Sequence, residues 1–182
     1  MILTTIKNIK KTERNRIVSV TFLNPIKITK MDNQNYTASI KVDATPREVF
    51  DCINSVTDWW TENLEGRSQK LNDEFTVRFG DIHYSKQKLV EVLPNKKVVW
   101  LVTDSSLNWL AKKDEWTGTK ISFEIISKGT YTQLIFTHIG LLPGLECFDD
   151  CSSGWNQFIK DSLFKLLAEG KGQPDLRTKS IV

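Results

Sequence analysis

The sequence predicts an α+β fold: a curved antiparallel β-sheet wrapped around one long C-terminal α-helix, with two short helices after the first strand. Three observations predict it. A well-marked helix start stands at 45–48, period-two alternation runs from Gly66 to Ile139, and one long amphipathic stretch closes the chain at about 145–169.

Residues 36–42 (YTASIKV) alternate and stop at Asp43, so they read as a strand. The helix that follows opens on Thr45 as N-cap, Pro46 at its first position and Glu48 closing a T-x-x-E capping box. Val49, Cys52, Ile53 and Val56 share one face of this helix, which is expected to end near Asp58, with Trp59 and Trp60 in a turn or second helix. Phe75, Val77 and Phe79 then alternate with polar neighbours. Strand-like runs at 84–93 and 97–104 flank Pro94-Asn95, and runs at 118–126 and 131–139 flank Lys128-Gly129. Short turns between neighbours imply an antiparallel meander with one wet face. Its inward positions are Val98, Trp100 and Val102, then Ile121, Phe123 and Ile125, then Leu134, Phe136 and His138.

In the last stretch Phe148, Cys151, Trp155, Phe158 and Leu166 recur at helical steps, joined by Ile159, Leu163 and Leu167. Gly170, Gly172 and Pro174 stop it. A helix of that length spans about 37 Å, enough to cross a curved sheet.

The 182 residues, 40% hydrophobic and 26% charged, suit one domain with a core large enough to need no metal or disulfide. No apolar run reaches the length of a membrane span. The net charge of +3 is uneven. Residues 1–30 hold seven basic side chains against Glu13 alone, whereas the remainder holds 18 basic and 21 acidic ones. The body therefore has no general attraction for nucleic acid. Residues 1–30 are expected to be a disordered basic tail or a leader upstream of a true start at Met31. The domain is expected over 31–172 and a C-terminal tail over 173–182. Cys52, Cys147 and Cys151 cannot all pair, which favours free thiols and a cytoplasmic location.

Several segments resemble the START-like (SRPBCC, helix-grip) superfamily, which includes plant pollen-allergen proteins and polyketide cyclases. They are Ala44-Thr45-Pro46-Arg47-Glu48-Val49-Phe50, Trp59-Trp60, the run Glu91-Val92-Leu93-Pro94-Asn95-Lys96-Lys97-Val98-Val99-Trp100, the run Phe136-Thr137-His138-Ile139-Gly140-Leu141, and Trp155 with the leucines after it. The similarity is greatest to the bacterial branch related to the C-terminal domain of the heat-shock protein 90 ATPase activator, and it covers about 36–172. It implies a cavity for a hydrophobic or amphipathic small molecule, and it carries no shared catalytic motif.

Such a cavity is expected between Phe79, Trp100, Phe123 and Phe136 on the sheet and Phe148, Cys151, Trp155 and Phe158 on the helix. Its expected volume is roughly 300–1,000 Å³, the ordinary range of small-molecule sites. The mouth is expected near Trp59, Trp60 and the loop around Trp109, with Trp116 outside. His138 is the expected polar anchor, assisted by Glu91 or Arg78, and the acid/base of the alternative reading as a cyclase, aromatase or hydrolase. A third reading is a chaperone-ATPase-interacting module, and the protein partner expected is a chaperone or a second copy in a homodimer. His83 falls in a turn and is expected to be solvated.

Other chemistry is poorly supported. Cys147, Cys151 and His138 lack the fourth ligand of a structural zinc site, so no metal or other cofactor is expected. Trp109 and Trp116 flank Lys112-Lys113-Asp114-Glu115, whose charges cancel, so base stacking is not expected either. No G-x-S-x-G, Walker or G-x-G-x-x-G motif is present.

Overall fold

Strand β1 (Tyr36–Val42) delivers the chain to helix α1 (Pro46–Asn54) through the capping box read from the sequence. The Glu48 N–H donates to Thr45 Oγ1 at 3.2 Å and the Thr45 N–H donates to Glu48 Oε2 at 2.7 Å. The computed structural model describes residues 34–177; the expected basic tail and the last five residues lie outside the described residues.

Helix α1 ends four residues earlier than its apolar spacing suggests. Ser55 leaves helical geometry (φ −83°, ψ 59°), and a second short helix, α2 (Val56–Trp59), sets off in a new direction. The Trp59 indole N–H donates back to the Ile53 carbonyl at 3.2 Å, and Trp59 and Trp60 are both buried. Of the predicted face of α1, Val49, Ile53 and Val56 are buried, while Cys52 lies half-exposed.

Six further strands follow: β2 (Leu64–Gly66), β3 (Glu74–Phe79), β4 (His83–Leu93), β5 (Lys97–Leu107), β6 (Lys120–Ser127) and β7 (Thr132–Ile139). They form one antiparallel sheet in the order β1-β7-β6-β5-β4-β3-β2. Between β4 and β5 the register slips twice, leaving Thr103 and Val90 as extra residues. Each bulge bends the sheet and reverses the parity of inward positions. Val98, Trp100 and Val102 therefore give way to Ser105 and Leu107 as the buried set, and β5 runs past the point where simple alternation stops.

The C-terminal helix lies in the concavity as three consecutive segments: α3 (Phe148–Trp155), a π-helical stretch (Asn156–Leu163) and α4 (Phe164–Glu169). It starts at Phe148, not 145. Its buried apolar residues, Cys151, Trp155, Ile159 and Leu163, continue from Cys147 just before it at strict four-residue steps. In a regular α-helix such a stripe drifts by about 40° per step, because four residues exceed one turn of 3.6. The wider π winding takes up that excess and keeps the stripe on the sheet. Tyr36 Oη, donating to Asn156 Oδ1 at 3.0 Å, ties β1 to this stretch.

Gly170 closes α4 in the left-handed conformation (φ 75°). The chain then passes so close to Asp58 and Ser162 that a Cβ at Gly172 would collide with the Asp58 carbonyl. Beyond it, the Asp175 N–H donates to the Trp60 carbonyl at 3.0 Å and the Glu62 N–H to the Asp175 carbonyl at 3.1 Å. The segment after the helix thus straps the Trp60 turn.

One polar network crosses the core. Trp155 Nε1–H donates to His138 Nδ1 at 2.9 Å. The imidazole proton therefore sits on Nε2, which lies 2.9 Å from Thr119 Oγ1, and that hydroxyl donates to the Trp116 carbonyl at 2.6 Å. His138 is wholly buried with both nitrogens engaged. Burial holds its pKa down to about 3, helped by the neighbouring His83. His83, also buried and also held to about 3, is kept neutral first by burial and then by the Arg177 charge.

Two outcomes are expected. Replacing Trp155 by Phe strands His138 Nδ1 in the core and should cost about 1–3 kcal/mol in urea unfolding, whereas an unchanged midpoint would remove the network's structural role. Both histidines titrate near 6.5 in the unfolded chain and near 3 in the folded one, so only the unfolded chain gains protons as the pH falls below about 6.5. Stability should drop by about 2 kcal/mol per histidine between pH 7.5 and pH 5, read from the same midpoints.

Candidate functional site

The interior expected to hold a ligand is filled. Trp59 and Trp100 stack on Trp60, Trp60 stacks on Trp155 with ring centres 5.1 Å apart, and Trp155 stacks on Trp116 at 5.6 Å. Phe123 and Phe136 close the sides of this stack, with Phe136 4.6 Å from Trp155. Rings at these separations are in contact, so aromatic side chains occupy the centre of the concavity.

Space remains at one end of the sheet. A surface-open cleft of about 120 Å³ lies between the β3–β4 turn, the loop joining β5 to β6, and the C-terminal helix. That is well below the volume expected from the sequence, because the tryptophan stack occupies the rest. Phe79 and His83 form one wall, Trp109 and Trp116 a second, and Cys151, Trp155 and Phe158 a third, with Trp60 also lining it. Ile82, Asp150 and Arg177 border it and are exposed. Gly154 leaves a gap in the helix wall: a Cβ there would meet nothing within 4 Å.

The walls are held by specific contacts. Trp116 Nε1–H donates to Cys151 Sγ at 3.3 Å. The His83 ring meets Trp116 edge-on at 4.8 Å and Phe79 at 5.0 Å, and Trp109 lies parallel to it at 6.2 Å. Two glutamates pin the loop to the helix start reciprocally. Glu115 accepts from the Glu146 and Cys147 N–H groups at 3.2 and 2.9 Å, and Glu146 accepts from the Ala111 N–H at 3.0 Å. Arg177 forms a 2.7 Å ion pair with Asp175 and lies over the Phe79 ring.

Of the residues singled out in the sequence, Trp60, Phe79, Cys151, Trp155 and Phe158 come together in this cleft. Trp59, Trp100, Phe123 and Phe136 sit in the packed stack, His138 in the core network, and Phe148 against the core at the helix start. Glu91 pairs with Lys97 at 3.2 Å, and Arg78 lies over Tyr84. Two expectations are corrected. Trp116 is not outside but buried against Trp155, and His83 is not a solvated turn residue but the first, inward residue of β4. The signal for His83 was available: His83, Ser85, Gln87 and Leu89 alternate, but the polar character of the first three conceals the inward face.

The thiols are free. Cys147 is held protonated, first by its hydrogen bond with Cys151 and then by burial, which disfavours nucleophilic or metal-binding use. Among the described residues no helix is long and apolar enough to cross a membrane.

No family model matches the chain, and no curated protein does. Solved structures do. The Aha1 dimer from Colwellia psychrerythraea superposes with a TM-score of 0.63 at 24% identity, covering 76% of this chain and 99% of that one. DynU16, from the dynemicin biosynthetic locus, gives 0.56 at 18% identity over 78% of this chain, which spans 50% of DynU16. CalU16 from Micromonospora echinospora gives 0.55 at 13% identity, over 77% of each chain. Similarity at these identities speaks for architecture, and the seven-stranded curved sheet gripping a C-terminal helix is a helix-grip fold.

Proposed function

We propose that the protein binds a small apolar molecule, about one aromatic ring in size, in the cleft between the C-terminal helix and the His83 end of the sheet. The observation that carries this reading is the cleft itself: about 120 Å³, open to solvent and walled by six aromatic side chains and His83. A dry protein cavity of about 150 Å³ is large enough to take benzene. Recognition would be by shape, and the protein would act as a binder, not as a catalyst. An acid/base role for His138 has little support, since both its nitrogens are bonded inside the core. Free thiols fit a cytoplasmic setting.

Toluene should change the tryptophan emission saturably, because four indoles line the cleft, with a Kd of about 0.1–1 mM. Gly154→Leu should abolish the response without loss of stability, since its side chain grows into open space and leucine suits a helix better than glycine. A non-saturable response, or one unchanged in Gly154→Leu, would remove the reading.

A second reading concerns assembly and is favoured by the dimeric state of the Colwellia psychrerythraea protein. If this chain pairs likewise, sedimentation velocity at tens of micromolar should give a dimer; a single monomeric species would refute it. The chaperone link remains an implication of the family resemblance.

A further inference from the structure

Three polar residues occupy positions on the inner face of β4 where the alternation calls for apolar ones. His83, Ser85 and Gln87 are all buried there, at 8%, 0% and 0% exposure. Their hydrogen bonds run in one direction. With the Gln87 amide turned so that both its ends are satisfied, its NH₂ donates to the Phe75 and Ser85 carbonyls at 3.1 and 3.2 Å, and its oxygen accepts from Ser85 Oγ–H at 2.6 Å. The Ser85 hydroxyl has thereby spent its only proton. Toward His83 Nε2, 3.1 Å away, it can only accept. The proton of the neutral His83 ring is therefore on Nε2, and Nδ1 is a bare acceptor with no hydrogen-bond partner among the described residues.

We infer that the molecule bound in the cleft carries a hydrogen-bond donor, a hydroxyl or N–H on a ring-sized apolar body, that meets Nδ1 of His83. This rests on the binding reading proposed above. The other polar groups around the cleft leave the role to His83. Arg177 is committed to Asp175, Cys151 Sγ already accepts from Trp116, and Asp150 is at the rim, where water satisfies it. An acceptor at the wall of a solvent-open cleft is served by water, and a ligand that displaces that water is favoured over an isostere when it supplies a donor of its own. The inferred ligand class is thus a phenol, an aryl amine or an alcohol of similar size.

Phenol and toluene differ by hydroxyl against methyl and serve as probes. Both are titrated into the full chain and into His83→Phe by tryptophan emission. The ratio of phenol to toluene affinity should fall roughly 3- to 30-fold in His83→Phe, because the ratio cancels the difference in hydration between the two probes. In the ¹⁵N spectrum of the unsubstituted protein, phenol should shift the His83 Nδ1 resonance and toluene should not, a reading that does not depend on the variant folding. Toluene binding with an unchanged ratio, or no Nδ1 shift with phenol, overturns the inference and leaves the cleft reading standing. In that case Nδ1 is served from the polar hollow that His83 also borders, beside Arg78, Tyr84 and Asn108. Binding of neither probe overturns both.

Discussion

The position of the C-terminal helix depends on one side chain. Trp155 Nε1–H reaches across to His138 on β7, and the same indole is sandwiched between Trp60 and Trp116 with Phe136 at its edge. The hydrogen bond fixes the imidazole tautomer, the tautomer fixes the Thr119 hydroxyl, and that hydroxyl holds the Trp116 carbonyl in the β5–β6 loop. A helix packed only by leucines could slide or roll within a curved sheet. One fastened by a directional bond to a buried acceptor cannot do so without leaving that acceptor unpaired. The π winding follows from the same constraint, since it keeps Ile159 and Leu163 in line with Trp155.

How much of this was legible in the sequence depends on how local the governing physics is. The capping box around Thr45 and Glu48 is a four-residue device, and it is present as read. The alternation of Ile121, Phe123 and Ile125 and of Leu134, Phe136 and His138 is set by the pleat, and those residues are inward. What could not be read depends on distant partners. The three-residue β2 is a strand only because Leu64–Gly66 finds β3. The bulges at Thr103 and Val90 appear only in the pairing of β4 with β5. The break at Ser55 serves the burial of two indoles under a sheet that lies later in the chain.

The candidate site was half legible for a related reason. Aromatic residues on predicted inward faces identify what borders the concavity, not whether they meet across it. Here Trp59, Trp60, Trp100, Phe123 and Phe136 do meet, and the volume between them is their own. The residues that complete the cleft gave weaker signals. Trp116 sits between charged and turn residues, Gly154 contributes by having no side chain, and Arg177 lies beyond the helix and is brought back by the Asp175 strap.

In this chain the interface between helix and sheet is filled by Trp155, Trp60 and Trp100. It does not need a glycine at 154, nor a run of buried polar residues on β4. Leucine or valine at 83, 85 and 87 would satisfy the alternation and remove three buried groups that must otherwise find partners. Those departures from the simplest packing solution converge on one end of the molecule, where Gly154 opens a gap and His83 stands at its wall. Fold similarity at 13–24% identity carries no information about that end, since any filler of the same volume would superpose equally well. The binding proposed for this chain would therefore rest on side chains that the fold leaves optional.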